Sequence, residues 1–133
     1  MRPTKPVEVL LVEDNAGDIR LVKQALAAER YPVSIRIAVD GKQALDMLSN
    51  RHVDPDLVIL DLTLPKLDGI SVLEETPPDV PIVVFTSSTD PEDRKDALDL
   101  GALEYVQKPS DLNEYTSVVS QMVKNWTMAD RDK

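Results

Sequence analysis

Four consecutive apolar residues, Leu57-Val58-Ile59-Leu60, run directly into a carboxylate, Asp61, and the chain then breaks at Pro65 and again at Asp68-Gly69. A short apolar run with no polar alternation predicts a strand buried on both faces. Such a strand needs a layer of side chains above it and another below it. Its carboxyl end hands one Asp to a loop, which is how a rigid support presents a nucleophile or a ligand. Alone, Asp61 reads equally well as the residue that ends the strand. What else reaches the same place decides between the two readings.

Four more runs flank this one. Val7–Val12 is rich in β-branched residues and predicts a first strand, followed by Glu13-Asp14-Asn15. Asp14 or Asn15 has the N-cap chemistry for a helix reaching about Ala28, with Ile19, Val22, Ala25 and Leu26 on one face. Val33–Ala38 alternates as a second strand would. A second helix opens at Asp40-Gly41, with Ala44, Leu45 and Leu48 on one side, and a polar connection containing His52 precedes the central run. After Gly69 there is room for a helix of barely two turns before Thr76-Pro77-Pro78. Pro81–Phe85 predicts a fourth strand ending in Thr86-Ser87-Ser88-Thr89. Asp90-Pro91-Glu92-Asp93 combines an N-cap, a proline at the first helical position and first-turn acids, and Gly101 ends that helix. Leu103–Val106 is a short fifth strand, broken by Lys108-Pro109. From Asp111 the spacing of Leu112, Tyr115, Val118, Val119, Met122, Val123 and Trp126 predicts a closing amphipathic helix, with Trp126 packing it onto the domain and residues past Thr127 fraying. Five strands alternating with helices predict an α/β fold with a parallel sheet covered on both faces.

Composition bounds the rest. The 133 residues are expected to make one domain, 1–133, with a core of about 7–126 and no output domain after it. No apolar stretch approaches the roughly 18 residues of a membrane span, and the basic start leads only to Val7–Val12 before meeting Glu13-Asp14, so neither an anchor nor a signal peptide is expected. The absence of cysteine removes disulfides and thiolate chemistry and makes a cytoplasmic location the default. A net charge of −9 argues against nonspecific binding to nucleic acid or an anionic membrane.

In parallel α/β sheets ligands bind outside the carboxyl ends of the strands. Here those ends carry Glu13-Asp14, Asp61, Thr86-Ser87 and Lys108-Pro109. Three carboxylates brought together repel one another unless a cation joins them. Carboxylates with a backbone carbonyl are hard oxygen ligands suited to Mg²⁺ or Mn²⁺. A hydroxyl from Thr86 and an ammonium from Lys108 complete a setting for a phosphoryl group.

On these residues the chain resembles the response-regulator receiver domains of two-component signalling. The resemblance runs from about Val7 to Val123 and is carried by Leu11-Val12-Glu13-Asp14-Asn15, by Asp61-Leu62-Thr63-Leu64-Pro65 with Asp68-Gly69, by Thr86-Ser87 and by Lys108-Pro109. With Gly17-Asp18-Ile19-Arg20-Leu21 added, it looks most like the small single-domain regulators of phytochrome-type sensor kinases. The resemblance implies a flavodoxin-like sheet of order 2-1-3-4-5, here with a shortened third helix. It implies that Asp61 is the phosphoacceptor for a sensor histidine kinase or phosphotransfer protein. Asp14 and Asp61 would ligate Mg²⁺ (or Mn²⁺), Glu13 would act through water and Thr63 would offer its carbonyl. Thr86 and Lys108 would hold phosphoryl oxygens, Tyr105 would be the switch aromatic that follows Thr86, and the bond to Pro109 would be cis. For Tyr105, a plain half-buried strand residue is an equal reading.

The resemblance implies a signalling switch rather than an enzyme, acting through an unidentified downstream protein, with a homodimer through the 90–126 face permitted. Thr63 and Ser88 occupy the positions that tune phosphoryl lifetime, and neither is an acid or amide that would orient a water, so self-dephosphorylation is expected to be slow to moderate. Three other readings stand beside this one. A degenerate receiver would serve only as a scaffold. An aspartyl-phosphate phosphohydrolase matches Asp61-Leu62-Thr63, but its nucleophile would follow the first strand rather than the third. An FMN carrier would need a Ser/Thr/Gly-rich loop where Glu13-Asp14 stands.

Overall fold

A computed structural model describes residues 5–49 and 53–128; His52 and the terminal residues 129–133 lie outside the described residues. The strands are β1 (Val7–Val12), β2 (Val33–Ala38), β3 (Leu57–Leu60), β4 (Ile82–Thr86) and β5 (Glu104–Gln107). The helices are α1 (Ala16–Ala27), α2 (Gly41–Ser49), α3 (Gly69–Glu75), α4 (Pro91–Asp99) and α5 (Leu112–Val123). All strand pairs are parallel, in the order β2-β1-β3-β4-β5, the flavodoxin-like topology expected.

The period of two along each strand divides the core into two. Val7, Val9, Leu11, Leu57, Ile59, Val83 and Phe85 face α1 and α5, where Val22, Leu26, Val119 and Met122 meet them. Leu10, Val12, Val58, Leu60, Ile82 and Val84 face the other way, onto Ala44 and Leu48 of α2, Val72 and Leu73 of α3 and Ala97 of α4. β3 is therefore buried at every position, which is why its sequence carries no polar alternation. β2 lies at the sheet edge and is mostly half-buried, consistent with its alternating sequence.

Local chemistry sets the boundaries. Asn15 rather than Asp14 caps α1, its side chain accepting from the Asp18 amide at 2.9 Å. Asp90 and Asp111 cap α4 and α5 in the same manner. Gly101 closes α4 at φ +104°, with the Gly101 amide donating to Leu98 and the Ala102 amide to Ala97, the paired bonds of a left-handed C-terminal cap. α3 has seven residues, the barely two turns expected. The closing helix departs from expectation beyond Val123, where it widens into a π-helical turn over Lys124–Met128. Trp126 meets the domain at its surface: the residue is 37% exposed and its indole N–H donates to Glu104 Oε1 of β5 at 3.0 Å. An indole has a polar handle that favours a wet edge with one hydrogen-bond partner over full burial.

The loop after β3 is tied to α2 by a close backbone approach. A Cβ on Gly41 would stand 2.0 Å from the Leu67 carbonyl oxygen, so only glycine fits there. Lys66, in the same loop, adopts φ +68°, and its ammonium stands 3.6 Å from Asp40. Gly41→Ala is expected to destabilise the fold by about 1–3 kcal/mol, because a backbone atom must move to admit the methyl. Urea denaturation measures this, and an unchanged midpoint would show that the loop yields freely.

Candidate functional site

The hydrogen-bond ladder of the sheet runs one residue past the strands and fixes the site. The Glu13 amide donates to the Ala38 carbonyl at 2.9 Å, the Asp61 amide to Val12 at 3.1 Å and the Lys108 amide to Thr86 at 2.8 Å. Glu13, Asp61 and Lys108 thus leave the same edge of the sheet from β1, β3 and β5, as the strand-end pattern predicts.

Their side chains meet. Lys108 Nζ lies 2.8 Å from Glu13 Oε1, 3.1 Å from Asp61 Oδ2 and 3.1 Å from Asp18 Oδ2. Glu13 and Asp61 are 2% and 6% exposed, so this is a nearly dry cluster of charge. The second oxygens are also engaged: Glu13 Oε2 accepts from the Asn15 amide and Asp61 Oδ1 from the Thr63 amide, each at 3.1 Å. Burial pushes the Glu13 carboxyl up, the hydrogen bond and charge of Lys108 pull it down, and the charge of Asp61 adds to the rise; the net direction is upward from 4.5. Burial alone would lower Lys108, but the hydrogen bond to Glu13 and the charges of Asp61 and Glu13 outweigh it and hold the ammonium above its ordinary range.

Thr86 is fully buried at the end of β4, and its Oγ1 accepts only a long 3.4 Å bond from the Ser88 amide. Ser88 is the centre of that loop: its hydroxyl donates to Asp93 at 2.6 Å, and its carbonyl accepts from the Tyr105 hydroxyl at 3.0 Å. Tyr105 is half-buried, with the Arg94 guanidinium 6.0 Å from its ring centre. Gly69 closes the loop behind Asp61: its amide donates to Leu62, and a Cβ there would lie 2.7 Å from the Asp61 carbonyl oxygen.

Three expectations need correction or completion. The Lys108–Pro109 bond is trans, as are all peptide bonds among the described residues. Trans is the lower-energy isomer of an X–Pro bond by about 0.5–1 kcal/mol, and here it already delivers the Lys108 ammonium to all three acids. Asp14 does not join the buried cluster; it is exposed, and among the described residues no three acids are gathered so as to hold a metal ion. The Lys108 ammonium takes the central position and satisfies Glu13 and Asp61 instead. Glu13 and Asp61 are hard oxygen donors of the kind that suit a divalent ion, and Asp14 lies one residue beyond Glu13 on the exposed side. Asp18 is the residue that the strand-end pattern missed. It belongs to the first turn of α1, and only the packing of that turn over the sheet edge reveals that it faces Lys108.

With this geometry in view, comparison with known proteins is decisive. The response regulator receiver domain model matches residues 9–120. The chain belongs to the response regulator receiver family. This receiver is similar to the crystal structure of the phosphorylated cyanobacterial phytochrome response regulator RcpA, with a TM-score of 0.86 and 33% identity over 92% of this chain and 94% of that one. It is similar to the Mn²⁺-bound form of response regulator Rcp1, with a TM-score of 0.85 and 32% identity over 92% and 95% of the two chains. The bacteriophytochrome response regulator AtBRR shares 35% identity at a TM-score of 0.68, over 86% of this chain and 91% of that one. Among curated proteins, response regulator MprA of Mycolicibacterium vanbaalenii is 34% identical over 94% of this chain and 54% of its own length. The receiver spans about half the length of the curated relatives it matches. Membership of the family removes the support for the FMN-carrier and aspartyl-phosphate phosphohydrolase readings. No helix among the described residues is long and apolar enough to cross a membrane.

Lys108→Met tests the charge balance of the receiver site. A carboxyl whose folded value is raised binds its proton more tightly folded than unfolded, so its contribution to stability is best below the unfolded value of 4.5 and falls as pH rises through the folded value. Losing Lys108 removes what holds Glu13 down and leaves buried acids unpaired. The variant is expected to lose about 3–5 kcal/mol at pH 8, with part of that loss recovered at pH 5. Urea denaturation at the two pH values measures it; a variant no more pH-dependent than the parent would contradict the balance described.

Proposed function

We propose that this receiver accepts a phosphoryl group on Asp61 from the phosphohistidine of a sensor histidine kinase or phosphotransfer protein, and signals by binding another protein. The observation that carries this reading is Asp61 itself: a nearly dry carboxylate at the end of the central strand, with the Lys108 ammonium at 3.1 Å and the Thr86 hydroxyl at the end of the adjacent strand. An Asp61 oxygen attacks phosphorus, the P–O bond forms as the P–N bond to the donor imidazole breaks, and the imidazole leaves with the electron pair and takes a proton. β3 and the Thr63 amide hold the nucleophile in one orientation before the donor arrives, which lowers the entropic cost of the transfer.

Asp14 and Asp61, with Glu13 through water and the Thr63 carbonyl, would hold Mg²⁺ or Mn²⁺. That ion supplies positive charge to offset the charge on the phosphoryl oxygens. Lys108 then moves a hydrogen bond from a carboxylate to a phosphoryl oxygen. Thr86, bound only by a long contact, is free to turn its hydroxyl to the same group, and in doing so it disturbs Ser88 and through Ser88 the hydroxyl of Tyr105. The stretch from Thr86 to Tyr105, with α4 between its ends, is thus the element that a new charge on Asp61 biases. The exposed Leu98, Leu100, Leu103 and Leu112, with Trp126, lie within 90–126 and support that face as the place where a partner or a second copy binds. An acidic receiver of this kind acts in the cytoplasm and not on nucleic acid or lipid.

Incubation with acetyl phosphate and Mg²⁺, followed by intact mass measurement, is expected to show one phosphoryl adduct, absent from Asp61→Asn and absent when the metal is chelated. No adduct on a folded, Mg²⁺-binding protein would favour the scaffold reading. The Ser88 hydroxyl is held by Asp93, and Thr63 offers neither an acid nor an amide to orient a water at the phosphoryl group. The adduct is accordingly expected to persist after the donor is removed, and its mass signal followed over time checks this; rapid loss in Mg²⁺ without a phosphatase would contradict it.

A further inference from the structure

Asp18 is held from three sides. Its amide donates to the capping Asn15 side chain at 2.9 Å, its Oδ1 accepts from the Tyr115 hydroxyl at 2.5 Å, and its Oδ2 pairs with Lys108 Nζ at 3.1 Å. Tyr115 is itself fixed: it is 4% exposed on α5, and its ring meets Phe85 of β4 edge-on at 5.0 Å and 67°. A rigid path therefore runs from Phe85 through Tyr115 and Asp18 to the lysine of the site.

An ammonium has three N–H donors, and Lys108 faces three carboxylates, Glu13, Asp61 and Asp18. Lys108 donates hydrogen bonds to Glu13 and Asp61 and is ion-paired with Asp18; to hold a phosphoryl oxygen on Asp61 it moves one of those hydrogen bonds while the remaining contacts keep Nζ in place. The bond to Asp61 is the natural one to transfer, since the new acceptor is attached to that residue. Glu13 is not a dedicated anchor, because its carboxylate is also called on when a divalent cation enters. Asp18 has no such second duty, and its other oxygen is tied to Tyr115.

We propose that Asp18, oriented by Tyr115, is a positioning residue that anchors Lys108 beside Asp61 during phosphoryl transfer. This rests on the receiver chemistry proposed above. The anchor also links α5 to the site, so a phosphoryl group that draws Lys108 away loads the Asp18–Tyr115 bond directly. Electrostatics makes the proposal discriminating. Asp18→Asn removes a negative charge near an incoming anionic donor, which by charge alone would speed phosphorylation. Loss of positioning slows it. Tyr115→Phe leaves every charge of the cluster in place and removes only the bond that orients Asp18.

Two measurements on wild type, Asp18→Asn and Tyr115→Phe test this. The first is the rate of phosphorylation by acetyl phosphate in Mg²⁺ as a function of donor concentration. The saturating rate is expected to fall roughly tenfold in Asp18→Asn and about threefold in Tyr115→Phe, as displacement of a positioned group does. Mg²⁺ affinity by calorimetry should be unchanged in Tyr115→Phe. The second, which needs no phosphorylation, is the ¹⁵Nζ NMR signal of Lys108, visible when the ammonium is immobilised and slow to exchange; both variants should weaken or lose it. Equal or faster saturating rates in both variants, or an undisturbed Lys108 signal, overturn the proposal. If wild type takes no phosphoryl group, the receiver chemistry fails while the NMR signal still decides whether Asp18 anchors Lys108. Should Tyr115→Phe fail to fold, Asp18→Asn carries both measurements.

Discussion

The site depends on one buried cation. Lys108 stands among Glu13, Asp18 and Asp61 at hydrogen-bonding distances, and without it the carboxyl edge of the sheet would gather acids that repel one another in a nearly dry place. A buried charge of this kind is costly unless every partner is present, so the cluster constrains what surrounds it. The glycine at 69 exists because the loop behind Asp61 passes too close for a side chain. The glycine at 41 fixes the next layer of the same loop against α2. Tyr115 directs its hydroxyl to Asp18, and burial together with the hydrogen bond to Asp18 and its charge keeps that phenol protonated far above its ordinary range.

Lys108 stands against three acids, Glu13, Asp18 and Asp61, so the cluster as it stands carries more negative than positive charge. The parts placed to answer a change in that charge are distinct from the parts that hold the fold. β3 and its neighbours are buried on both faces and have no second arrangement to adopt. The loop after β4 is held more loosely: among the described residues the Thr86 hydroxyl accepts one long bond from the Ser88 amide, and Ser88 connects it to Asp93 and Tyr105. In the proposed function, rigid strands position the chemistry and this polar loop carries the response.

Most of the fold was legible because its signals are local. Four apolar residues without alternation meant two covered faces, Asp90-Pro91 meant a helix start, and Gly101 meant its end. Asn15 as the cap of α1, the π-helical turn after Val123 and the wet edge on which Trp126 rests were not settled by periodicity. In each case two local outcomes have similar energy and packing elsewhere selects one. Tyr105 shows the same limit. A half-buried strand tyrosine and a switch residue have the same sequence signature, and only its bond to the Ser88 carbonyl places it in the loop network.

The sequence by itself determined that Glu13, Asp61, Thr86 and Lys108 would share one edge, because parallel strands put all their carboxyl ends on the same side and each run of apolar residues announces where it ends. Tertiary structure alone decided which of these side chains touch. Asp14, one residue along, turns to solvent, while Asp18, in the first turn of α1, reaches the lysine, because α1 packs through Val22, Ala25 and Leu26 onto the sheet and α5 and carries its first turn over the sheet edge. It also decided that Lys108 reaches its acids through a trans bond to Pro109. The distances between charges on different elements, and hence the chemistry they can share, come from how the layers settle against one another.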